Sequence, residues 1–291
     1  MDYILLHWSF GRESMKMTVD SMEESCNLLL KRGEGWSEYT REHETYTPLR
    51  SIMRVIENPE NNIINWGNHI FSDNSYFKIN KPQAVHNMSN KSLARRIFRD
   101  AGVKIPQTFF YEEQFFFPCI ARPSHHHGGN HFHILNTERD LRSLMNTENI
   151  HDWYFAEVFQ KTHEYRVHCA HGKALIVQDK PLVSGEIRAN HAVNHESWRI
   201  LKWSEFNPEI CRESLKAIEV SGLDYGAVDI MYNAANNSMA ICEVNTSPSI
   251  NTPYCSEKYG KYFDWLIRND YPEHFNINDR NIVFTNDILA S

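Results

Sequence analysis

The chain has 291 residues, of which 41% are hydrophobic and 23% are charged, and its formal net charge at pH 7 is -7. This length and apolar content suffice for one compact multi-lobed unit or two modest domains with a buried core. The negative charge argues against general nucleic-acid binding. The longest apolar runs, at 3–6 and 115–121, are far shorter than the roughly 20 residues of a membrane-spanning helix. We therefore expect a soluble, globular protein.

The N-terminus and the cysteines indicate the compartment. Asp2 stands where a targeting signal would have a basic segment, and charged residues interrupt the first apolar run. We therefore expect a cytoplasmic protein. The six cysteines are scattered without a Cys-x-x-Cys pair. This spacing favours buried thiols over a zinc ribbon or a disulfide framework.

The first 80 residues are predicted to form a small α/β lobe. Apolar patterns predict strands at 3–8 and 62–66 and a helix at 19–31. The polar segment at 35–59 is predicted to be irregular. We assign residues 1–80 to an N-terminal lobe that precedes a larger α+β domain.

The second part of the chain begins with an amphipathic helix. Either Ser89 or Asn90 can cap this helix, its apolar residues recur on one face as far as Phe98, and Gly102 stands where a C-cap glycine belongs. Further strands are predicted at 115–122, 132–135, 153–159, 166–170, 174–177, 225–233 and 239–245, and further helices at 138–145 and 209–220. This order of elements predicts an α+β fold.

A predicted hairpin near the C-terminal end carries the most informative motif. With a loop at 234–238, its strands pair Met231 with Ile241 and place Asp229 directly opposite Glu243. Two carboxylates about 4 Å apart repel by roughly 4 kcal/mol at an effective dielectric constant of 20. The pair therefore requires a compensating cation or a shared proton.

Side-chain alternation along the strand puts Asn245 on the face that carries Asp229 and Glu243, so three oxygen donors converge. Magnesium and manganese accept carboxylate, amide and phosphate oxygens, and proteins commonly hold Mg²⁺ with one or two carboxylates plus substrate phosphates. We expect these three residues to bind Mg²⁺ or Mn²⁺. The alternative is an exposed hairpin whose acidic residues face water, but it would put like charges opposite each other.

A family resemblance is carried by two motifs of this hairpin, Gly226-Ala-Val-Asp229 and Glu243-Val-Asn245-Thr-Ser-Pro. They resemble the metal-binding signature of the ATP-grasp superfamily, in particular the branch of the RimK-like ligases and glutathione synthetase. The resemblance covers about residues 80–255 and implies an ATP-grasp fold, in which two α+β subdomains clasp ATP. The implied divisions are the N-terminal lobe at 1–80, the ATP-grasp domain at 81–270 with a lid at about 107–155, and a C-terminal tail at 271–291.

The resemblance also implies contacts to the ATP phosphates. Lys91 stands in the family's Asp-Lys position, although Asn90 replaces the aspartate. Arg122 stands where the family has a second lysine, and it keeps the positive charge in a planar fork that suits phosphate. Gly128 and Gly129 fall in the phosphate-covering loop, where glycine permits close approach of the backbone.

On the nucleoside side, the resemblance implies that main-chain groups around Glu157 and Phe159 read adenine. Glu164 stands where the family commonly has an acidic residue for the ribose hydroxyls. A short acid-containing strand is unspecific by itself, so both assignments come from the resemblance alone.

For catalysis, the resemblance implies that Arg188 and Asn190 face an acyl phosphate, where they can stabilise developing oxygen charge. Arg166 is expected to orient the substrate carboxylate. The implied reaction joins a carboxylate to an amine: the carboxylate attacks the terminal phosphorus of ATP, and the amine displaces phosphate from the acyl phosphate. The implied partners are small-molecule or peptide carboxylates and amines, and no oligomeric state is implied.

Two alternatives use the same fold. One is a nucleotide-binding protein without ligase activity, for which Asn90, Arg122 and Ser249 are the departures from the family pattern. The other is a small-molecule kinase, because the metal site alone does not distinguish a hydroxyl from a carboxylate acceptor. An interaction module would require the hairpin carboxylates to bind no ligand.

Overall fold

Three β-sheets organise the part of the chain that the structure describes. This computed structural model describes residues 3–7, 12–32, 35–41, 43–69, 71, 77–111, 113, 116–126, 131–182, 187, 198–250 and 252–269. The sheets follow one another along the sequence. In these ranges we find no helix with the length and apolar character needed to cross a membrane.

The N-terminal sheet contains six strands. The elements of this lobe are β1 (Tyr3–His7), α1 (Arg12–Ser21), β2 (Asn27–Arg32), β3 (Gly35–Thr40), β4 (His43–Thr47), α2 (Leu49–Ile56), β5 (Asn62–Trp66) and β6 (Phe77–Ile79). The strand order is β4-β3-β2-β1-β5-β6. β2, β1, β5 and β6 pair in parallel, whereas β3 and β4 extend the β2 edge as an antiparallel hairpin.

The predicted helix at 19–31 is wrong, because α1 ends at Ser21 and β2 begins at Asn27. Leu28 and Leu30 pack into one hydrophobic cluster, and Leu29 packs into another. Because side chains alternate across a strand, the three leucines serve cores on opposite faces of the sheet. A strand covered on both faces has a continuous apolar run, which resembles a buried helix in sequence.

The prediction that 35–59 is irregular is also wrong, because this segment contains the β3–β4 hairpin and α2. Its polar composition follows from its place at the edge of the sheet, where Tyr46 is 69% exposed and Trp36 is buried. The Ser37 hydroxyl donates to Glu44 Oε1 at 2.6 Å across the hairpin. Edge strands carry polar residues in this way because one side of their backbone meets water.

The second sheet has four strands. Its elements are β7 (Thr108–Phe110), β8 (Cys119–Pro123), β9 (His133–Leu135), α5 (Glu138–Met145) and β10 (Trp153–Glu157). The strand order is β7-β10-β8-β9, and all pairs are antiparallel. The predicted helix at 138–145 is confirmed, and a capping box between Thr137 and Asp140 begins it.

The third sheet has five strands: β11 (His163–Ala170), β12 (Lys173–Lys180), β13 (Arg199–Ile200), β14 (Tyr225–Asn233) and β15 (Ser238–Asn245). The strand order is β13-β12-β11-β14-β15, and all pairs are antiparallel. The helices around it are α3 (Pro82–Ser89), α4 (Lys91–Asp100), α6 (Glu209–Ser221) and α7 (Pro253–Arg268). Helix α6 ends at Gly222, whose φ of +71° explains the glycine.

Helices cover both faces of the third sheet. Val228 of β14 shares a hydrophobic cluster with Leu215 of α6 and with residues of α4. Tyr225, at the start of the same strand, shares a second cluster with Phe263 of α7 and with strands of the N-terminal sheet. The strand that carries Asp229 is therefore held between two cores.

A buried hydrogen-bond network joins the N-terminal lobe to the start of β14. The Asn80 backbone N–H donates to Asp224 Oδ2 at 2.7 Å, and its amide group donates to the Tyr225 carbonyl at 2.9 Å. In return, Asn80 Oδ1 accepts from the Asp224 N–H at 2.8 Å, and the Tyr225 hydroxyl donates to the Asn65 carbonyl at 2.7 Å. These buried bonds fix the lobe against the third sheet.

Helices α1 and α7 pack closely at Gly260. A Cβ atom at this position would lie 2.3 Å from Ser21 Oγ and 3.1 Å from the Thr18 carbonyl oxygen. Asp264, one turn later, accepts the backbone N–H groups of Glu23 and Glu24 at 2.9 Å each. The C-terminal helix is thus part of the N-terminal lobe in space.

We predict that Gly260→Ala destabilises the protein. Overpacking costs about 1–3 kcal/mol, which exceeds the roughly 1 kcal/mol that alanine gains over glycine in a helix. Denaturant unfolding measures this loss. In a Ser21→Ala background the same substitution should cost less, because the closest atom is gone. An equal cost in both backgrounds would contradict the close contact.

Candidate functional site

The hairpin of β14 and β15 brings the two predicted carboxylates together. Asp229 pairs with Glu243, and this prediction is confirmed. The turn occupies 234–237, one residue fewer than predicted, so Met231 pairs with Ala240. The predicted partner of Met231 was therefore wrong by one residue.

A β-bulge explains why the shorter turn leaves the carboxylate pair intact. Ile230 pairs with Ile241, whereas its neighbour Asp229 pairs with Glu243. Cys242 is therefore an extra residue on β15. A bulge of this kind bends the strand and re-aims the side chains beside it, and bulges are frequent next to functional sites.

Two cations hold the Asp229 carboxylate, which is 1% exposed. Arg166, directly across from it on β11, donates from Nε to Oδ1 at 2.7 Å and from Nη2 to Oδ2 at 2.8 Å. Lys180 of β12 donates to Oδ2 at 3.0 Å. The guanidinium that the sequence assigned to a substrate carboxylate is therefore bound to a carboxylate of the protein itself.

Lys180 also joins Asp229 to Glu164, because Lys180 Nζ lies 2.5 Å from Glu164 Oε1. Lys161 forms a further short ion pair with Glu164. Burial raises the pKa of Glu164, but Lys180 and Lys161 outweigh it, and the pKa is lower than usual. Burial lowers the pKa of Lys180, but Asp229 and Glu164 outweigh it, and the pKa is raised. Glu164 and Lys180 are therefore both charged at neutral pH.

Glu243 has a more open environment. Its side chain is 23% exposed, and Lys91 Nζ lies 3.5 Å from Oε2. Burial raises the pKa of Glu243, but Lys91 with help from Lys180 outweighs burial and lowers it to about 2. No hydrogen bond to this carboxylate is formed within the described ranges. It is therefore an ionised group with capacity for another ligand.

Helix α4 positions Lys91. Asn90, which replaces the family's aspartate, caps the helix by accepting the Leu93 N–H at 3.0 Å. Lys91 Nζ also lies 3.4 Å from the Val244 carbonyl. The substitution at position 90 therefore keeps a polar cap, and the lysine reaches the strand that carries Glu243.

Asn245 lies on the same face as Glu243, two residues further along β15, and pairs with Ala227. Its Nδ2 atom is buried and has no hydrogen-bond partner among the residues described. The oxygen and nitrogen of a side-chain amide are told apart by their hydrogen-bond partners. If the Asn245 amide is flipped, its oxygen takes the position of Nδ2 and can accept a bond there.

A cleft between the second and third sheets begins beside this face. Its empty volume is about 670 Å³ including the open mouth. Four predicted nucleotide residues line it: Arg122, Glu157, Phe159 and Glu164. Further lining residues that the sequence did not indicate are Arg95, Tyr154, Lys161, Met231 and Cys242.

Some of these lining residues had a signal in the sequence. Arg95 lies one helical turn after Lys91, so both project from the same face of α4. Tyr154 alternates with Ala156 on β10, which places both on the cleft side. Lys161 had no such signal in the sequence, because it lies in the irregular segment between β10 and β11, where side chains do not follow a regular spacing.

Four predicted site residues lie outside the described residues: Gly128, Gly129, Arg188 and Asn190. Within the described ranges, no group of three or more His, Cys, Asp or Glu side chains is arranged to hold a metal ion. A metal at the hairpin would therefore depend on an amide oxygen and on ligand oxygens in addition to the two carboxylates.

Comparison with solved structures identifies the fold. The VanG D-Ala:D-Ser ligase from Enterococcus faecalis is similar with a TM-score of 0.61, over 89% of this chain and 97% of that chain, at 14% sequence identity. The D-alanine–D-alanine ligase from Bacillus anthracis is similar with a TM-score of 0.58, over 94% of this chain and 100% of that chain, also at 14% identity. Its complex with ATP gives a TM-score of 0.55 at the same identity.

No protein-family model matches the sequence, and no curated protein matches it. At 14% identity, the solved structures establish the fold. The prediction of an α+β ATP-grasp fold is confirmed, and the chain has the fold of these ATP-grasp ligases.

Proposed function

We propose that the protein is an ATP-dependent ligase that joins a carboxylate to an amine through an acyl phosphate and releases ADP and phosphate. The main support is the Asp229–Glu243 pair, because Met231 and Cys242, which lie next to it on the same two strands, line a cleft between two sheets. In this fold such a cleft is a natural place for a nucleotide, because it offers apolar walls and a few convergent charges.

The charge of the site supports an anionic ligand. Within the described part of the chain, six cations and four carboxylates line the cleft or contact the hairpin carboxylates. The cations are Lys91, Arg95, Arg122, Lys161, Arg166 and Lys180, and the carboxylates are Glu157, Glu164, Asp229 and Glu243. The excess of positive charge favours a magnesium triphosphate, which remains anionic.

The residues at the hairpin fit a magnesium ion. Glu243 is ionised with coordination capacity left, and the Asn245 amide is buried with an unsatisfied atom. Asp229 is bound by Arg166 and Lys180, which hold its carboxylate opposite Glu243. We propose that these three residues hold Mg²⁺, for which Mn²⁺ can substitute, together with phosphate oxygens.

When bound, Mg²⁺ would neutralise charge on the phosphates and orient them. Lys91 and Arg122 would neutralise the remaining phosphate charge, and the backbone around Glu157 and Phe159 would face adenine. Glu164, which is held by two lysines, would accept the ribose hydroxyls. Because these groups only position and neutralise, the proposal needs no side-chain nucleophile.

The remaining contacts are proposed from the family resemblance alone. They are the phosphate-covering loop with Gly128 and Gly129 and the acyl-phosphate contacts of Arg188 and Asn190. Arg166 is proposed to act indirectly, since its guanidinium orients Asp229. The placement in the RimK-like and glutathione synthetase branch rests on the motifs at 226–229 and 243–248.

The structural neighbours are ligases of D-alanine with D-alanine or D-serine. Their chemistry supports amide-bond formation as the reaction class proposed for this chain. The expected substrates are a small-molecule or peptide carboxylate and an amine.

A mass-spectrometric screen tests the reaction. The protein is incubated with ATP, Mg²⁺ and pools of carboxylates and amines, and products are sought by mass. An amide with stoichiometric ADP supports the ligase. A phosphate ester would identify a kinase, and ADP binding without any product would identify a nucleotide-binding protein.

We predict that Glu243→Gln reduces Mg²⁺-dependent ADP formation at least about 100-fold, because the amide lacks the charge that binds the metal. The melting temperature should fall only modestly, because the substitution removes one partly exposed ion pair, the 3.5 Å contact with Lys91. Glu219→Gln, on the exposed face of α6, is the matched control and should retain full activity. Full activity of Glu243→Gln would refute its role as a metal ligand.

We predict that Asp229→Ala behaves differently, because it removes a structural ion pair as well as a metal ligand. Arg166 would remain buried without its carboxylate, which costs about 3–5 kcal/mol. Urea unfolding should therefore show a large loss for Asp229→Ala and a small one for Glu243→Gln. Equal stability of the two variants would contradict the buried ion cluster.

A further inference from the structure

Arg95 of α4 is a buried cation whose role is not explained by the site described so far. It lies one helical turn after Lys91, is 6% exposed and lines the cleft. Arginine is rarely buried to this degree unless an acidic group or another ligand pairs with it. The partners of Arg95 therefore show what the residue is for.

One amino group of Arg95 has a protein partner. Nη2 donates to the Cys242 carbonyl at 2.7 Å, and the guanidinium carbon lies 5.3 Å from the centre of the Tyr154 ring. Nη1 is also buried, but it has no hydrogen-bond partner in the described ranges. No described carboxylate forms an ion pair with this side chain. Its positive charge is therefore unbalanced by the protein groups around it.

A buried charge without a counterion costs free energy, and an unsatisfied N–H adds to this cost. An anion in the cleft would remove both penalties at once. A base nitrogen would satisfy the N–H group but would leave the charge unbalanced. Among the acceptors of a nucleotide, a phosphate oxygen therefore matches Arg95 best, because charge-assisted hydrogen bonds to phosphate are the strong ones.

The position of Arg95 agrees with this choice. Lys91, on the same face of α4, lies beside Glu243 at the metal end of the site. Across the cleft, Tyr154 pairs with Arg122, the cation at the end of β8. Arg95 is thus one helical turn from Lys91 and stacks on the residue that pairs with Arg122, and both of these cations are proposed to bind phosphate.

We propose that Arg95 binds a phosphate oxygen of the nucleotide through Nη1 while Nη2 holds the bulge at Cys242. This inference rests on the proposed function, because it takes a nucleotide as the ligand. Since the bulge sets Glu243 opposite Asp229, one guanidinium contacts both the phosphate and the backbone that positions the metal ligand.

Calorimetric titration of the full chain tests the proposal, with ADP and Mg²⁺ in one series and adenosine in another. Arg95→Met keeps the apolar stem and removes the charge. We expect it to weaken ADP binding roughly 10- to 100-fold, because this is the contribution of a hydrogen bond to a charged group. Adenosine binding should not change. Arg95→Lys should fall between the wild type and Arg95→Met.

Arg96→Met is the matched control, because Arg96 is exposed, stacks on Phe110 and does not line the cleft. It should bind ADP as the wild type does. If Arg95→Met does not fold, as judged by circular dichroism, Arg95→Lys is used in its place. We then expect a smaller loss of ADP affinity and no loss of adenosine affinity.

Two outcomes would overturn the proposal. Unchanged ADP binding in Arg95→Met would show that Nη1 does not contact a phosphate. Equal weakening of ADP and adenosine would place the contact on the nucleoside or make Arg95 a structural residue. A wild-type protein that binds no ADP would instead refute the proposed function itself, so the two failures are distinguishable.

Discussion

The site depends on one electrostatic constraint: two carboxylates lie opposite each other on neighbouring strands. Like charges in this arrangement destabilise a sheet unless cations neutralise them. The protein neutralises Asp229 with Arg166 and Lys180, both buried, and leaves Glu243 with only a 3.5 Å contact to Lys91 in the described ranges. One carboxylate is thus structural and largely satisfied, whereas the other has capacity for a ligand. This asymmetry is what makes the hairpin suitable as one side of a metal–nucleotide site.

The remainder of the fold keeps this hairpin in place. The Asn80–Asp224 hydrogen bonds anchor the start of β14 to the N-terminal lobe. Beyond β15, Ser247 packs against Gly67, where a Cβ atom would lie 2.5 Å from Ser247 Cβ and where φ is +82°. The turn after β5 therefore contacts the segment just after Asn245. In this way the N-terminal lobe fixes both ends of the β14–β15 hairpin.

The sequence predicted features that depend on residues close together in the chain. The Asp229–Glu243 pair was predicted correctly although the turn is shorter than assumed, because the bulge at Cys242 restores the register. A bulge has no reliable signal in a single sequence. The ion pairs of Asp229 were not predicted, since Arg166 and Lys180 reach it only through the pairing of distant strands. The helix wrongly predicted over β2 has a similar cause, because burial on both faces is a property of the whole sheet.

The most direct test of this account is electron paramagnetic resonance of Mn²⁺ titrated with the protein and ADP. Free Mn²⁺ gives a six-line signal that diminishes when the ion is immobilised. We expect the signal to diminish, beyond the effect of ADP alone, only when both wild-type protein and ADP are present, and to persist with Glu243→Gln. A signal that is unaffected by the wild-type protein, or that diminishes equally with Glu243→Gln, would contradict a metal–nucleotide site at this hairpin.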